Sequence, residues 1–289
     1  MDGATSTLLP STRRDWAALI ARLGVRPSKG LGHHFLYESG VVDRMVRRAA
    51  IGPSDLVLEI GPGLGILTSA LLRHAAEVIA IELDHRLSEH LRTAFAAEPR
   101  FRLIEGNALT IPTDDVVPPD RAFVVAANLP YAVASAVLRH LLEQLHRPRR
   151  MTLMLQKEVA ERIAARPPNM SVLGVAVQFY TEPYVAFDVP PTVFIPPPNV
   201  ESAVVICDLR PALPLPDDQH RLFFRIVNAG FRQKRKQVAN SLAAELDLPK
   251  AAVCAWLTAA DVDPMRRAQT LDVPDWVRLT QGAPASLSA

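Results

Sequence analysis

The sequence predicts an α/β fold: an open sheet of strands buried on both faces and alternating with helices, followed by a small all-α C-terminal region. Three observations carry this expectation. Leu56-Val57-Leu58-Glu59-Ile60 is an apolar run that enters Gly61-Pro62-Gly63-Leu64-Gly65, with a helical stretch, Ile66 to Arg73, directly behind it. Phe123 to Ala127 (FVVAA) is again apolar at every position, the pattern of a strand covered on both sides. Beyond Leu213–Asp218 (LPLPDD), a proline-rich linker by composition, the apolar spacing becomes helical.

Composition sets the outer bounds. At 289 residues the chain is one large domain or two smaller ones, and 49% hydrophobic against 21% charged residues allows a substantial core. The domain boundary is expected at 212–213, with a catalytic part at 1–212 that includes an N-terminal extension over 1–28, and a helical part at 213–289. Net charge is only +2, so any surface for nucleic acid must be local. Cys207 and Cys254 match no metal or redox spacing and read as free thiols in a reducing compartment. No apolar run reaches membrane-spanning length, and the N-terminus lacks a basic-then-apolar leader pattern. A cytoplasmic protein with no membrane and no metal partner is expected.

In chain order, Ser11 or Thr12 can cap a short helix from Asp15 to Ile20 that ends at Gly24. Lys29-Gly30-Leu31-Gly32-His33-His34-Phe35-Leu36 is a loop with special backbone angles; adjacent histidines seldom converge on one ion, so it is not read as a metal site. A helix carrying Val41, Val42, Met45 and Val46 follows. After the glycine turn, Val78-Ile79-Ala80-Ile81 is a second strand ending at Glu82, 21 positions beyond Gly61. An acid there is placed to accept both hydroxyls of a ribose. Asp84 reads as a helix start. A third strand (Phe101 to Ile104) leads to Asn107, whose amide oxygen can accept a hydrogen bond from an exocyclic amine; an ordinary turn asparagine is the plainer reading. A helix follows over Ala134–Leu145, then the strand Met151–Leu155 and the amphipathic helix Gln156–Ile163, stopped by Pro167-Pro168. Val172–Tyr180 reads as helix or strand, with a helix flowing into a strand favoured. Val189–Pro198 (VPPTVFIPPP) cannot form a central strand; it is read as a rigid extended loop that either brings Phe194 to the Asn128–Tyr131 turn behind the Phe123 strand or packs it into the core. Ser202 to Ile206 returns to the sheet. Between His220 and Ala244 there is no acid, but Arg221, Arg225, Arg232, Lys234, Arg235 and Lys236 are present, a density that suggests phosphate contacts.

The stretch on which function turns is Asn128-Leu129-Pro130-Tyr131, where the Phe123 strand leaves the sheet. Pro130 lacks an N–H and biases Leu129 toward extended backbone, so regular pairing ends there. An aromatic amine such as adenine N6 is a poor nucleophile because its lone pair is delocalised into the ring. The Asn128 side-chain oxygen and a backbone carbonyl from Leu129 or Pro130 can accept both amine hydrogens, which favours a pyramidal nitrogen. Tyr131 can stack on the base. The plainer reading is a turn whose asparagine caps the next helix.

These motifs together resemble the small-subunit (16S) ribosomal RNA adenine N6-dimethyltransferases, the KsgA family. The resemblance runs from Gly30 to about Leu279. It rests on LGHHFL at Leu31–Leu36, LEIGPGLGILT at Leu58–Thr68, IELD at Ile81–Asp84 and NLPY at Asn128–Tyr131. QKEVAERI at Gln156–Ile163, FIPPPNVESAVV at Phe194–Val205 and GFRQKRKQVANSL at Gly230–Leu242 complete it. Glu59 and the glycine pattern look like the first motif of class I S-adenosylmethionine-dependent methyltransferases rather than a dinucleotide site.

The resemblance implies a Rossmann-like seven-strand sheet with a small helical C-terminal domain, and S-adenosyl-L-methionine as cofactor. It implies that His34 and Leu36 flank the cofactor's methionine end, that Gly61 and Gly63 face it, that Glu82 holds the ribose and that Asn107 meets the adenine. Asn128, Leu129, Pro130 and Tyr131 would form the target-adenine site, with Phe194, Arg232, Lys234, Arg235 and Lys236 toward RNA. The implied reaction is N6,N6-dimethylation of two adjacent adenosines near the 3′ end of 16S rRNA in the small ribosomal subunit, and a monomer is expected. His34 stands where the family usually has Asn, Asn107 where it has Asp, and Ala132–Ala136 where it has Asn-Ile-Ser/Thr. Two rivals share the fold: a 23S rRNA adenine methyltransferase of the macrolide-resistance type, whose turn tends to read Asn-Ile-Pro-Tyr, and a non-catalytic RNA-binding assembly factor. A DNA adenine methyltransferase, whose turn usually carries two prolines, is more distant.

Overall fold

The computed structural model describes residues 9–25 and 34–287 of the chain; the Lys29–His33 part of the first loop lies outside them. Helix α1 (Arg13–Arg22) starts where the Thr12 hydroxyl accepts the Asp15 N–H, and the chain turns away at Gly24, φ +63°. There follow β1 (Phe35–Leu36), α2 (Ser39–Ala49), β2 (Leu56–Ile60), α3 (Ile66–Leu72), β3 (Glu77–Glu82), α4 (His85–Ala94), β4 (Phe101–Glu105), β5 (Phe123–Asn128) and α5 (Ala134–Glu143). Then come β6 (Arg150–Gln156), α6 (Lys157–Ala164), α7 (Val172–Tyr180), β7 (Thr181–Val189), β8 (Phe194–Ile195), β9 (Ser202–Leu209), α8 (Asp217–Phe231), α9 (Val238–Leu246), α10 (Lys250–Ala259) and α11 (Val273–Gln281). Val172–Tyr180 is thus the helix that flows into a strand. Asp84 caps α4, accepting the N–H groups of Arg86 and Leu87.

Seven strands form one sheet in the order β4-β3-β2-β5-β6-β9-β7. The pairs from β4 to β6 are parallel, and β9 runs antiparallel to β6. The order leaves β2 in two directions, through β3 to β4 and through β5 to β6. The carboxyl ends of β2 and β5 therefore flank a topological switch point, where open α/β sheets bind ligands. Every residue of β2 and of Phe123–Ala127 is buried, as expected for parallel strands covered on both faces.

The proline-heavy Val189–Pro198 does more than span. A single 3₁₀ turn (Pro191–Val193) delivers β8, which pairs antiparallel with β1, Phe35 opposite Ile195 and Leu36 opposite Phe194. The loop read as merely extended thus holds the end of the first glycine-rich loop. No helix among the described residues is long and apolar enough to cross a membrane.

The chain sorts into two compact units: residues up to Ala160 with Tyr184–Leu209, and Glu161–Pro183 with Arg210–Ala289. In the first, α2 buries Val42, Met45, Val46 and Ala49, one helical face, and Arg44 lies 4.0 Å over the Phe187 ring. In the second, α7 joins the helices of the C-terminal part. The Gln178 amide donates to the carbonyls of Ile163 and Ala165, and Phe179 meets Phe223 at 4.4 Å.

Gly230 lets α8 touch α11 directly: a Cβ there would stand 2.3 Å from Trp276 Cη2, and Trp276 is fully buried. Gly230→Ala should therefore lower stability by roughly 1–3 kcal/mol through overpacking. Urea denaturation followed by tryptophan fluorescence measures this.

Candidate active site

The site is built at the rim where β3, β2 and β5 end level. Ile60 lies opposite Ile81 on one side and Ala127 on the other, so Gly61, Glu82 and Asn128 are the next residues out on three adjacent strands. The Gly61 N–H donates to the Ile81 carbonyl at 2.9 Å and fixes the start of the glycine turn. Gly61 has φ +66°, and nothing lies within 4 Å of where its Cβ would be. A side chain there would be strained and would enter the cleft. Gly65, φ +86°, lets the turn run into α3 against Phe95, which an added Cβ would approach to 2.7 Å.

A cleft of about 750 Å³, including its open mouth, is lined by His34, Leu36, Glu59, Gly61, Gly63, Glu82, Asn128, Leu129, Pro130, Tyr131 and Phe194, among others. Ten of the sequence-predicted residues thus meet in one place. Asn107 is not among the lining residues: it is exposed, and its Oδ1 accepts the Leu109 N–H at 2.9 Å in a local turn. Arg232, Lys234, Arg235 and Lys236 are exposed in the second unit, on the turn joining α8 to α9.

Glu82 is buried, yet its two oxygens accept backbone N–H groups from Gly63 (3.0 Å) and Asp84 (3.0 Å). Burial pushes its carboxyl up, and those N–H groups pull the other way. Carboxylate oxygens have further lone pairs, so the group is oriented by the backbone with acceptor capacity left. Glu59, also buried, accepts the Thr68 hydroxyl on Oε2 at 2.7 Å, whereas its Oε1 has no partner among the described residues. Burial raises the Glu59 carboxyl to about 8, with Thr68 opposing and the nearby Glu82 adding to the shift.

Among the described residues, the cleft lining contains these two acids and no lysine or arginine. It therefore fits a nucleoside with a free diol and a cationic centre, and it lacks the cations that would answer a pyrophosphate. The orphaned Glu59 Oε1 is the specific sign: a cation in the cleft would give it the partner it lacks. Among the described residues, no three His, Cys, Asp or Glu side chains are grouped so as to hold a metal ion.

The Asn128 amide, half-buried at the end of β5, makes no hydrogen bond to another described residue, and α5 begins at Val133 without a side-chain cap. The plainer reading of Asn128 as a helix cap therefore does not hold. The two candidate carbonyls separate as well. Pro130 accepts the N–H groups of Val133 and Ala134, both at 3.1 Å, to open the helix, whereas the Leu129 carbonyl takes no hydrogen bond from a described residue. Leu129 lines the cleft although only 1% of the residue is exposed. Phe194 both lines the cleft and packs in the core with Leu36, Val42 and Met45. His34 donates from Nδ1 to the Pro196 carbonyl at 2.8 Å, which fixes its tautomer, and its ring stands 5.7 Å from that of Tyr131.

Sequence reasoning used Glu59 only as part of a pattern, although an acid in a run of strand hydrophobes is itself a signal. It quoted Pro196 and Ser202 within the FIPPPNVESAVV motif and gave neither of them a role at the site.

The family model described as "Ribosomal RNA adenine dimethylase" matches residues 26–281 of the chain. Ribosomal RNA small subunit methyltransferase A of Dehalococcoides mccartyi (strain CBDB1) is 40% identical over 270 residues, 93% of each chain. The protein of the same name in Thermobifida fusca (strain YX) is 39% identical over 290 residues, covering 98% of this chain and 99% of that one. Among solved structures, a dimethyladenosine transferase from Plasmodium falciparum superposes with a TM-score of 0.73 at 26% identity, over 85% of this chain and 96% of that one. The 23S rRNA methyltransferase ErmE gives 0.69, also at 26% identity, over 86% and 98%.

The Glu59 carboxyl predicts a pH signature. An acid whose folded-state value is raised stays protonated in the folded state while the unfolded state ionises. Stability is therefore lost as pH rises from about 4.5 to about 8 and is level above that. Glu59→Gln should flatten this fall in the ligand-free protein by an amount on the order of a few kcal/mol, with Glu82 leaving a residual slope of the same sign. Urea midpoints at pH 5 and pH 8 for both proteins check it.

Proposed function

The chain belongs to the ribosomal RNA adenine dimethylase family, and from that premise we propose that it dimethylates N6 of two adjacent adenosines near the 3′ end of 16S rRNA in the small ribosomal subunit, using S-adenosyl-L-methionine. The observation that carries this reading is the pair of acceptors at one turn that no described residue engages, the Asn128 amide oxygen and the Leu129 carbonyl, beside a cleft lined by two acids.

The cofactor, when bound, supplies an electrophilic methyl group on a sulfonium centre. The chain does the rest by placement. Glu82 accepts the ribose hydroxyls, Gly61 and Gly63 leave room for the nucleoside, and His34 and Leu36 flank its amino-acid end. Asn107, exposed beyond β4 with its Oδ1 on the Leu109 N–H, would have to turn from that contact to meet the cofactor's adenine. Asn128 and Leu129 accept the two amine hydrogens of the target adenine, which localises the nitrogen lone pair toward the methyl group. Pro130 stiffens that turn, and Tyr131 stacks on the flipped base. Alignment of this kind lowers a barrier by on the order of 7–11 kcal/mol in favourable cases. The N6 proton becomes acidic on alkylation and passes to solvent, so no strong base is required. Arg232, Lys234, Arg235 and Lys236 contact RNA phosphates, and Phe194 walls the target site. The protein acts as a cytoplasmic monomer.

The 23S alternative is less favoured, because identity is 40% to a small-subunit methyltransferase and 26% to ErmE. Incubation with unmethylated small subunits and methyl-labelled cofactor, followed by nucleoside analysis, tests the reading: dimethyladenosine in 16S rRNA supports it. Tight RNA binding without label transfer would point to an assembly factor instead.

Asn128→Ala should lower turnover on the order of a hundredfold while leaving cofactor affinity near that of the parent protein; calorimetric titration beside the transfer assay separates the two. Equal loss of both contradicts the assigned role. Lys234→Ala with Lys236→Ala should weaken RNA binding evenly across sequences and reduce the salt slope by about 0.7–0.9 per lost phosphate contact, read from binding isotherms at several salt concentrations.

A further inference from the structure

Tyr131, just beyond β5, is tied to β9, two strands along the sheet. Its hydroxyl and Ser202 Oγ are hydrogen-bonded at 2.7 Å, either one able to donate. Ser202 is fully buried at the first position of β9, opposite Gln156 of β6. Its backbone is held from both directions. The ladder to β6 continues through Ala203 and Val204. On the other side the Lys157 N–H donates to the Glu201 carbonyl at 3.0 Å, while Lys157 Nζ pairs with Asp188 (2.7 Å) and Glu201 (2.9 Å). The hydroxyl that meets Tyr131 therefore projects from a rigid element, which loop residues cannot offer as well.

The other flank of the ring is His34, itself anchored to the Pro196 carbonyl. Both anchors come from one proline-rich segment and the strand it feeds, residues 196 and 202. Nothing after Tyr131 substitutes for them: Ala132, Val133 and Ala134 carry no polar side chain. The ring has only two side-chain torsions, so one fixed hydroxyl determines its tilt. Burial holds the phenol above its usual range, so the contact is between two neutral hydroxyls at working pH. For a buried serine such a partner is not optional, because an unpaired hydroxyl in the interior is costly.

We propose that Ser202 is a positioning residue for methyl transfer: its hydroxyl sets the tilt of the Tyr131 ring and so the placement of the target adenine against Asn128. This rests on the reading of Tyr131 as the stacking platform. Ser202 touches neither base nor cofactor; it acts through Tyr131. Ser202→Ala frees the ring to turn, and a base stacked on a turning ring spends less time with its amine on the Asn128 and Leu129 acceptors. The loss falls on turnover, not on cofactor binding.

The test is a double-mutant cycle of Ser202→Ala and Tyr131→Phe in the full chain with unmethylated small subunits. Each single change should lower kcat about five- to tenfold, the worth of one hydrogen bond, and leave cofactor affinity within about twofold. The double variant should be no slower than either single one, because both remove the same contact. A second readout does not involve turnover. Fluorescence of an RNA with 2-aminopurine at the target position, quenched on binding the parent protein, should be quenched less by both single variants. Tyr131→Phe probes the contact from the other side, so the test survives poor folding of Ser202→Ala. Multiplicative losses in the double variant, or parent-like kcat and quenching in both single variants, would overturn the proposal. Tyr131→Ala separates the two levels. If it loses turnover while the single variants do not, only the role of Ser202 fails; if it keeps turnover, the stacking reading fails.

Discussion

The level ending of three parallel strands is the constraint on which the site depends. With Ile81, Ile60 and Ala127 in register, the Glu82 carboxyl, a glycine without a side chain and the Asn128 amide must emerge side by side. A one-residue slip of β5 against β2 would turn Asn128 to the opposite face. Such a slip is costly because Phe123–Ala127 is buried on both faces, so burial of plain hydrophobes fixes the distance between two chemical groups.

Polarity inside that rim follows a consistent logic. Among the described residues the cleft lining is acidic without compensating lysine or arginine, which is unfavourable in the ligand-free state. The cost shows in the raised Glu59 carboxyl and its partnerless oxygen. Strain or desolvation of this kind is found where binding relieves it. The turn after β5 is different. There the polar atoms are neutral acceptors, Asn128 Oδ1 and the Leu129 carbonyl, which suit an uncharged amine. An acid-lined wall and a pair of neutral acceptors thus meet at one switch point.

Much of this was legible in the sequence because it is local. The strand, glycine turn, helix, strand and acid from Leu56 to Glu82 form a short-range period, and Pro130 ends β5 by its own chemistry. The helix that flows into a strand at Tyr180–Thr181 was also readable. What was not legible depends on distant partners. Tyr131 and Ser202 are 71 residues apart, and His34 and Pro196 are 162 apart. The choice between the Leu129 and Pro130 carbonyls follows from where α5 begins, which propensity alone does not resolve. Asn107 shows the same limit: its turn is local, but whether its oxygen faces the cleft or its own backbone is decided by the geometry after β4.

The central claim is spatial, that a methyl donor and an unstacked adenine amine meet at the rim where Gly61, Glu82 and Asn128 emerge. A crystal structure of the chain with S-adenosyl-L-homocysteine and adenosine monophosphate tests it most directly. The account predicts the cofactor ribose on Glu82 and the second adenine on Tyr131, with its amine on Asn128 Oδ1 and the Leu129 carbonyl, facing the sulfur. An adenine bound elsewhere, with Asn128 turned from the cofactor, would contradict it.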